Sequence, residues 1–206
     1  MNQKGFTLVE LMAVSLILPM IVGSMFAVLS MANVIFHTND IYSRLNQSAM
    51  QSLRYISREI GQTSPNATPS HLNIAAGANS VVRFQIPVDW DNDGDVVNGS
   101  MNPNVEWGAY AEAGQTSNGS LGGWVQYSVN NSNQLIRDVL DAGLAPVAGQ
   151  TRIVATNVLN FTVTQAQSTV TMTLTLRGTD TLGQFGQTRN IQSTFTSATL
   201  LRNAVS

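Results

Sequence analysis

Between Leu11 and Phe36 the chain runs for about 26 residues without a charged side chain, ~39 Å as a helix and long enough to cross a bilayer. No other stretch limits the fold so strongly. It is opened by Lys4-Gly5-Phe6-Thr7-Leu8-Val9-Glu10-Leu11-Met12, in which a short polar leader ends at Gly5 and one carboxylate, Glu10, stands inside the apolar run. A carboxylate at that depth is costly and marks a functional position. A secretory signal peptide has its small-residue cleavage site after the apolar core. Here the natural cut, between Gly5 and Phe6, comes before it, so processing would leave the rod on the mature protein. The lone lysine, Lys4, keeps the leader on the cytoplasmic side and sends everything after Phe36 outward.

The expected division is a leader at 1–5, a transmembrane half-helix at 6–36, a soluble amphipathic half at 37–64 and a β-rich domain at 65–206. Pro19 interrupts the apolar helix, which predicts a kink or a locally melted turn near Val14 and Ser15, with Ser15 as one partner for the freed backbone. Beyond the membrane, Ile41, Leu45, Ala49, Leu53, Ile56 and Ile60 form one apolar stripe at helical spacing. Ser64-Pro65 ends the helix after roughly 55 residues, ~85 Å. Arg44, Arg54 and Arg58 share a quarter-turn and read as a solvated face, with contact to a neighbouring subunit as the alternative.

After Asn66 the period falls from 3.6 to 2. Val82, Phe84, Ile86 and Val88 alternate with Arg83 and Gln85, and Val125, Tyr127 and Val129 with Gln126 and Ser128. Leu159, Phe161 and Val163 alternate with polar residues, and Val170, Met172, Leu174 and Leu176 stand against four threonines. These are half-buried antiparallel strands. A loop at 178–186 leads to a last strand through Ile191 and Phe195. Strands in sequence behind one long helix predict an α+β fold, the helix packed on antiparallel sheet. Residues 98–123, rich in Asn, Gly and Ser, read as a long exposed loop that Trp107, Tyr110 and Trp124 anchor to the core, with a binding surface as their alternative role.

Composition narrows the function. Charged residues make up 11% of 206, against a usual ~25%. The net charge is −2 and the arginines are scattered, so no nucleic-acid partner is expected. Without cysteine there is no disulfide scaffold, thiolate metal site or Cys nucleophile. His37 and His71 show no pairing, and no nucleophile elbow, P-loop or H-E-x-x-H occurs, so no enzyme is predicted.

One acidic run stands apart. Asp89-Trp90-Asp91-Asn92-Asp93-Gly94-Asp95 gathers four of the twelve acids with no base among them. The D-x-D-x-D-G spacing matches the front of a calcium loop, with Asp89, Asp91 and Asp93 offering carboxylates and Asp95 its backbone carbonyl. Ser100 stands where a bidentate Glu would close the shell, so Asn98 or a more distant donor would have to complete it. A merely solvated acidic turn is the alternative.

Gly5, Phe6, Thr7, Leu8 and Glu10 resemble the processing motif of the type IV prepilin family. The rest of the chain is similar to the larger minor pilins of the W type and to the J-type minor pseudopilins of type II secretion. The likeness lies in the D-x-D-x-D-G turn, Asn133-Gln134-Leu135-Ile136-Arg137, Ala155-Thr156-Asn157-Val158 and the ending Leu201-Arg202-Asn203. The resemblance implies that a prepilin peptidase cuts after Gly5 and methylates the new amino group of Phe6. It implies that Glu10 pairs with the amino terminus of an adjacent subunit. The partners are then other pilins or pseudopilins, met through the N-terminal helix, and the inner membrane before assembly. The resulting expectation is a structural subunit that starts or caps a pilus or pseudopilus, with a major pilin or a pilin-borne adhesin or calcium module as alternatives.

The acidic run generates a direct test. Titration calorimetry should detect Ca²⁺ binding with a dissociation constant on the order of 10⁻⁴–10⁻³ M, the range of extracellular modules. Absence of both heat and stabilisation at millimolar Ca²⁺ would leave a solvated acidic turn.

Overall fold

A computed structural model describes residues 7–64, 70–89, 96–98, 104–109, 120–121, 123–180 and 188–201. Thr7 starts the helix: its hydroxyl oxygen accepts from the Glu10 backbone N–H while the Glu10 carboxylate accepts from that of Thr7, a reciprocal cap. From there α1 (Leu8–Ile60) runs unbroken for 53 residues to a C-cap at Gly61, ~80 Å of helix. The melted turn expected near Val14 and Ser15 does not form, although Pro19 lies inside the helix. A single missing N–H leaves the flanking bonds in place, and helix propagation is cooperative enough to carry the turn through. The Ser15 hydroxyl donates to the Met12 carbonyl at 2.8 Å rather than meeting the carbonyl that Pro19 leaves free.

The strands follow in the order β1 (Leu72–Ala75), β2 (Val81–Phe84), β3 (Ile86–Pro87), β4 (Val97–Asn98), β5 (Asn104–Val105), β6 (Trp107–Ala109) and β7 (Ser120–Leu121). They continue with β8 (Trp124–Val129), β9 (Leu135–Leu140), β10 (Arg152–Ala155), β11 (Val158–Ala166), β12 (Thr169–Asp180) and β13 (Arg189–Leu200). One sheet has the order β1-β2-β8-β9-β10 and a second the order β11-β12-β13. Smaller sheets join β3-β6-β7 and β4-β5. Every named strand pair is antiparallel, so the fold is α+β as expected.

The upper half of α1 lies against these sheets. Leu45, Ala49, Leu53, Ile56 and Ile60 are buried and Ile41 is partly so, as the stripe required. Each large apolar side chain buried there contributes about 1.5–3 kcal/mol. Val170, Met172, Leu174 and Leu176 of β12 join the same core, fully buried, while the alternate threonines face away from it. On that far side Thr173 and Thr175 meet Thr196 and Thr194, hydroxyl to hydroxyl, at 3.3 and 3.0 Å.

Four expectations need correction. The strand expected through Val82–Val88 divides at Gln85, with β2 in one sheet and β3 in another. Gln85 is buried instead of facing out, because its backbone N–H donates to the His71 carbonyl and its amide to the Gly123 carbonyl. Leu159 is not an inward residue: a register slip between Val158 and Asn160 puts Val158 in the core. The supposed loop at 178–186 starts later, since Gly178, Thr179 and Asp180 still pair with Ile191, Asn190 and Arg189. The stretch 98–123 is not simply an exposed loop, for it carries β5, β6 and β7, and Gly108 and Ala109 are buried. There Trp107 stacks on His71 with centroids 4.2 Å apart, so it anchors the segment, while Tyr110 lies outside the described residues. The strands β1, β9 and β10 were not anticipated.

Gly178 lets helix and sheet close. A Cβ there would collide with Ile41 Cγ2 and stand 3.3 Å from Leu45 Cδ1. Gly178→Ala is expected to destabilise the detergent-solubilised protein by about 1–3 kcal/mol, the usual cost of overpacking. Adding Ile41→Ala should recover part of that loss. Unfolding in urea measures both, and no coupling between the two substitutions would show that this contact is not what limits the approach.

Candidate functional site

Two regions of α1 carry the side chains that chemistry or assembly can use. The first is the bare lower half. Leu8, Phe26 and Phe36 are each more than 70% exposed, and the most apolar eighteen-residue window of the helix has no residue buried in the rest of the chain. This segment is long and apolar enough to cross a membrane. Two of its hydroxyls are turned inward on the helix: Ser24 donates to the Ile21 carbonyl at 2.8 Å, as Ser15 does to Met12. That arrangement suits a lipid environment, where an unsatisfied polar group is expensive.

Glu10 stands at the start of this half. One oxygen, Oε2, accepts from the Thr7 backbone N–H at 2.9 Å and from the Thr7 hydroxyl at 3.0 Å. The positive end of the helix dipole lies on the same side, which favours a carboxylate there. Glu10 is therefore internally satisfied in the single chain, a role that the spacing of Thr7 and Glu10 encoded but that was not read from it. Gly5 and Phe6 lie outside the described residues.

The second region is where the helix meets the domain. At its lower edge His37 Nε2 lies 3.4 Å from Asp180 Oδ1, and the Thr38 hydroxyl 3.5 Å from Oδ2. Asp180 is the last residue of β12 and is buried. At the upper end Glu59 turns into the fold. Its two oxygens accept from Arg137 Nε, both at 3.0 Å, and Tyr127 donates its hydroxyl to Glu59 Oε2 at 2.5 Å. Arg137 is 1% exposed, and its Nη1 is buried with no hydrogen-bond partner among the described residues. Burial pushes the guanidinium pKa down, but the hydrogen bonds and charge of Glu59 outweigh it and leave it raised. The Tyr127 phenol is held well above its usual range, first by burial and then by the neighbouring Glu59 charge.

This clamp explains two stretches that the sequence singled out. Asn133 and Asn157 both adopt the left-handed backbone, at φ 56° and 58°. The Val158 N–H donates to the Asn133 carbonyl at 2.8 Å, so the turn before β9 and the turn before β11 are tied together. Arg137, two residues into β9, is thereby aimed at the helix end.

Asp89 is described and half-buried, while Asp91, Asp93 and Asp95 lie outside the described residues. Among the described residues no group of three His, Asp or Glu side chains is placed to hold a metal ion. Arg44, Arg54 and Arg58 are exposed as expected, with Arg44 paired to Asp40 at 3.0 Å.

Residues 1–30 match the family model for the prokaryotic N-terminal methylation motif. That match, in a chain whose apolar helix fits membrane anchoring, supports the type IV prepilin family and a pilin-like subunit. Compared with curated proteins and with solved structures, the chain shows no significant match to either.

Removing Glu59 leaves the buried guanidinium without its counter-charge, so Glu59→Ala should cost about 3–5 kcal/mol. Tyr127→Phe should cost about 1.5–3 kcal/mol, the worth of a hydrogen bond to a charged group. The raised phenol pKa also fixes a sign. Its contribution to stability is complete below the unfolded value of about 10 and is lost as pH rises towards the folded value. Denaturation midpoints measured against pH should fall above about pH 10 in the parent, and this fall should be shallower in Tyr127→Phe.

Proposed function

We propose that this chain is a minor subunit of a type IV pilus or pseudopilus, a structural component that helps to start or cap the fibre rather than an enzyme. The single observation that carries the reading is the match of residues 1–30 to the N-terminal methylation motif, continuous with a helix whose most apolar window is uncovered by the rest of the chain. In this reading a prepilin peptidase cuts between Gly5 and Phe6 and methylates Phe6. The β-rich domain stands in the periplasm while the stem waits in the inner membrane. Assembly then moves the stems out of lipid into one another, through their apolar faces.

Glu10 has a specific part in that transfer. In the single chain its carboxylate is held by Thr7. In the bundle the charged amino terminus of the neighbour takes over as its partner, and a carboxylate in hydrocarbon is tolerable against a cation. The acids Asp89, Asp91, Asp93 and Asp95 are proposed as a weak Ca²⁺ site that steadies the outer domain.

Mass spectrometry of the native protein should find an amino terminus at N-methylated Phe6. Glu10→Ala should be cleaved normally yet be depleted from sheared fibres, by roughly tenfold or more if the pair is worth the 1.4 kcal/mol or more that such a ratio represents. Normal incorporation of the variant would remove the charge-pairing role. A chain still beginning at Met1 would remove the whole reading, and dominance of the sheared fibre by this chain would make it the major subunit instead.

A further inference from the structure

The sheets of the domain end in edges of unequal character. β1 and β10 are four residues long, and β10 carries a register slip between Ile153 and Ala155. The edge of β11 is backed at its middle: the Ser80 N–H donates to the Phe161 carbonyl at 2.7 Å, the Phe161 N–H to Asn79 Oδ1 at 3.1 Å, and the Val163 N–H to the Ser80 hydroxyl at 3.1 Å. β13 has none of these protections. It pairs with β12 over twelve consecutive positions without a slip, and among the described residues no strand lies on its other side. Its sequence holds no Pro, Lys, Asp or Glu, and its one charge, Arg189, stands at its first residue, so the strand beyond it lacks the residues that natural sheets place on edges to prevent pairing.

Between this edge and α1 lies a furrow. Two adjoining cavities of about 550 and 820 Å³ share Arg54 and Ser57, and together reach from Met50 and Phe195 to Arg58 and Leu200. Met50 and Leu200 are 57% and 65% exposed, and among the described residues no acid lines either cavity. Neither Arg54 nor Arg58 has an ion-pair partner among the described residues. The furrow therefore offers apolar surface, two guanidinium groups and, beside them, a strand's unpaired backbone.

The direction of β13 limits what can fill it. The Ser57 and Ser197 hydroxyls lie 3.3 Å apart, Gly61 faces Thr199, and Gly178, the register partner of Ile191, faces Ile41. The strand thus rises in the same sense as the helix. Two copies joined by antiparallel pairing of β13 with β13 would have antiparallel helices, which subunits threaded through one membrane with the same topology cannot have. With antiparallel self-pairing excluded, the contact assigned here is heterologous, the kind that propagates along an open fibre. Gln47, Gln51, Arg54 and Arg58 also continue, at three- and four-residue spacing, the helix whose lower half is the bare stem. A neighbour packed on the stem is carried past the furrow.

We infer that the β13 edge and the Arg54–Arg58 furrow receive an extended, carboxylate-bearing segment of the next subunit in the fibre, which adds a strand to the sheet and sets its acids on the two guanidiniums. This rests on the fibre-subunit reading above. It assigns that subunit a second, polar contact, separate from the apolar packing of the stems.

The absence of cysteine makes the test clean. Ala198→Cys places a thiol on the exposed face of β13, at the open edge and among the residues that line both cavities, and Ala142→Cys places a control thiol on the exposed turn after β9. Full-length protein is labelled with a bulky maleimide–polyethylene glycol, once dispersed in detergent and once in sheared fibres. Burial at a packed interface should slow labelling at position 198 in fibres by roughly tenfold or more while leaving 142 unchanged. Equal labelling of 198 in both states overturns the inference. Arg54→Glu with Arg58→Glu should reduce incorporation several-fold at an unchanged unfolding midpoint, and full incorporation of that variant also overturns it. If the double variant misfolds, labelling at 198 in the parent background decides. If the parent chain is missing from fibres, the fibre-subunit reading falls and takes this one with it. If the parent is present and 198 stays open, this inference alone falls.

Discussion

One continuous helix has to suit two solvents, and the rest of the molecule is arranged around that demand. Below residue 30 every side of α1 is bare, and above residue 41 one side is packed on sheet. Since the helix does not break, the azimuth of the stripe from Leu45 to Ile60 fixes how the β domain is turned relative to the stem. Gly178 allows close approach where packing begins, and Gly61 allows it where the helix ends, with Thr199 and Leu200 alongside. Between them the apolar stripe supplies most of the attraction, because dispersion and burial scale with area and not with direction.

Direction comes from polar ties at the two ends of the packed segment. His37 and Thr38 reach Asp180 at the bottom, and Glu59 takes Arg137 and Tyr127 at the top. An apolar stripe tolerates a slide of one turn at modest cost. The arginine on both oxygens of Glu59 does not, since a shift would strand the buried guanidinium and the half-buried carboxylate. Such ties cost desolvation and add little net stability, but they admit one register.

Particular residues show where the sequence was readable. Val170, Met172, Leu174 and Leu176 against threonines read as a strand because alternation leaves one interpretation, and all four are buried. The stripe on α1 was equally plain. Gln85 was misread, since a polar residue in an alternating run looks outward unless its two backbone partners, His71 and Gly123, are known to be near. Leu159 was misread because a bulge changes parity without changing composition. β9 escaped notice because Arg137 and Asp138, both buried, interrupt its apolar pattern. The clamp escaped for the same reason: Glu59 lies 78 positions from Arg137, and nothing local to either signals the other.

By itself the chain determined its amphiphile: an acid and then an apolar rod, in an order that chemistry along one helix can specify, since helical spacing is local. It also determined that strands follow, because period-two patterning is local too. The tertiary structure alone decided which edge is left open, which cation is buried and which acid answers it. Those outcomes depend on segments far apart in sequence meeting at ångström distances, and no local period records such a meeting.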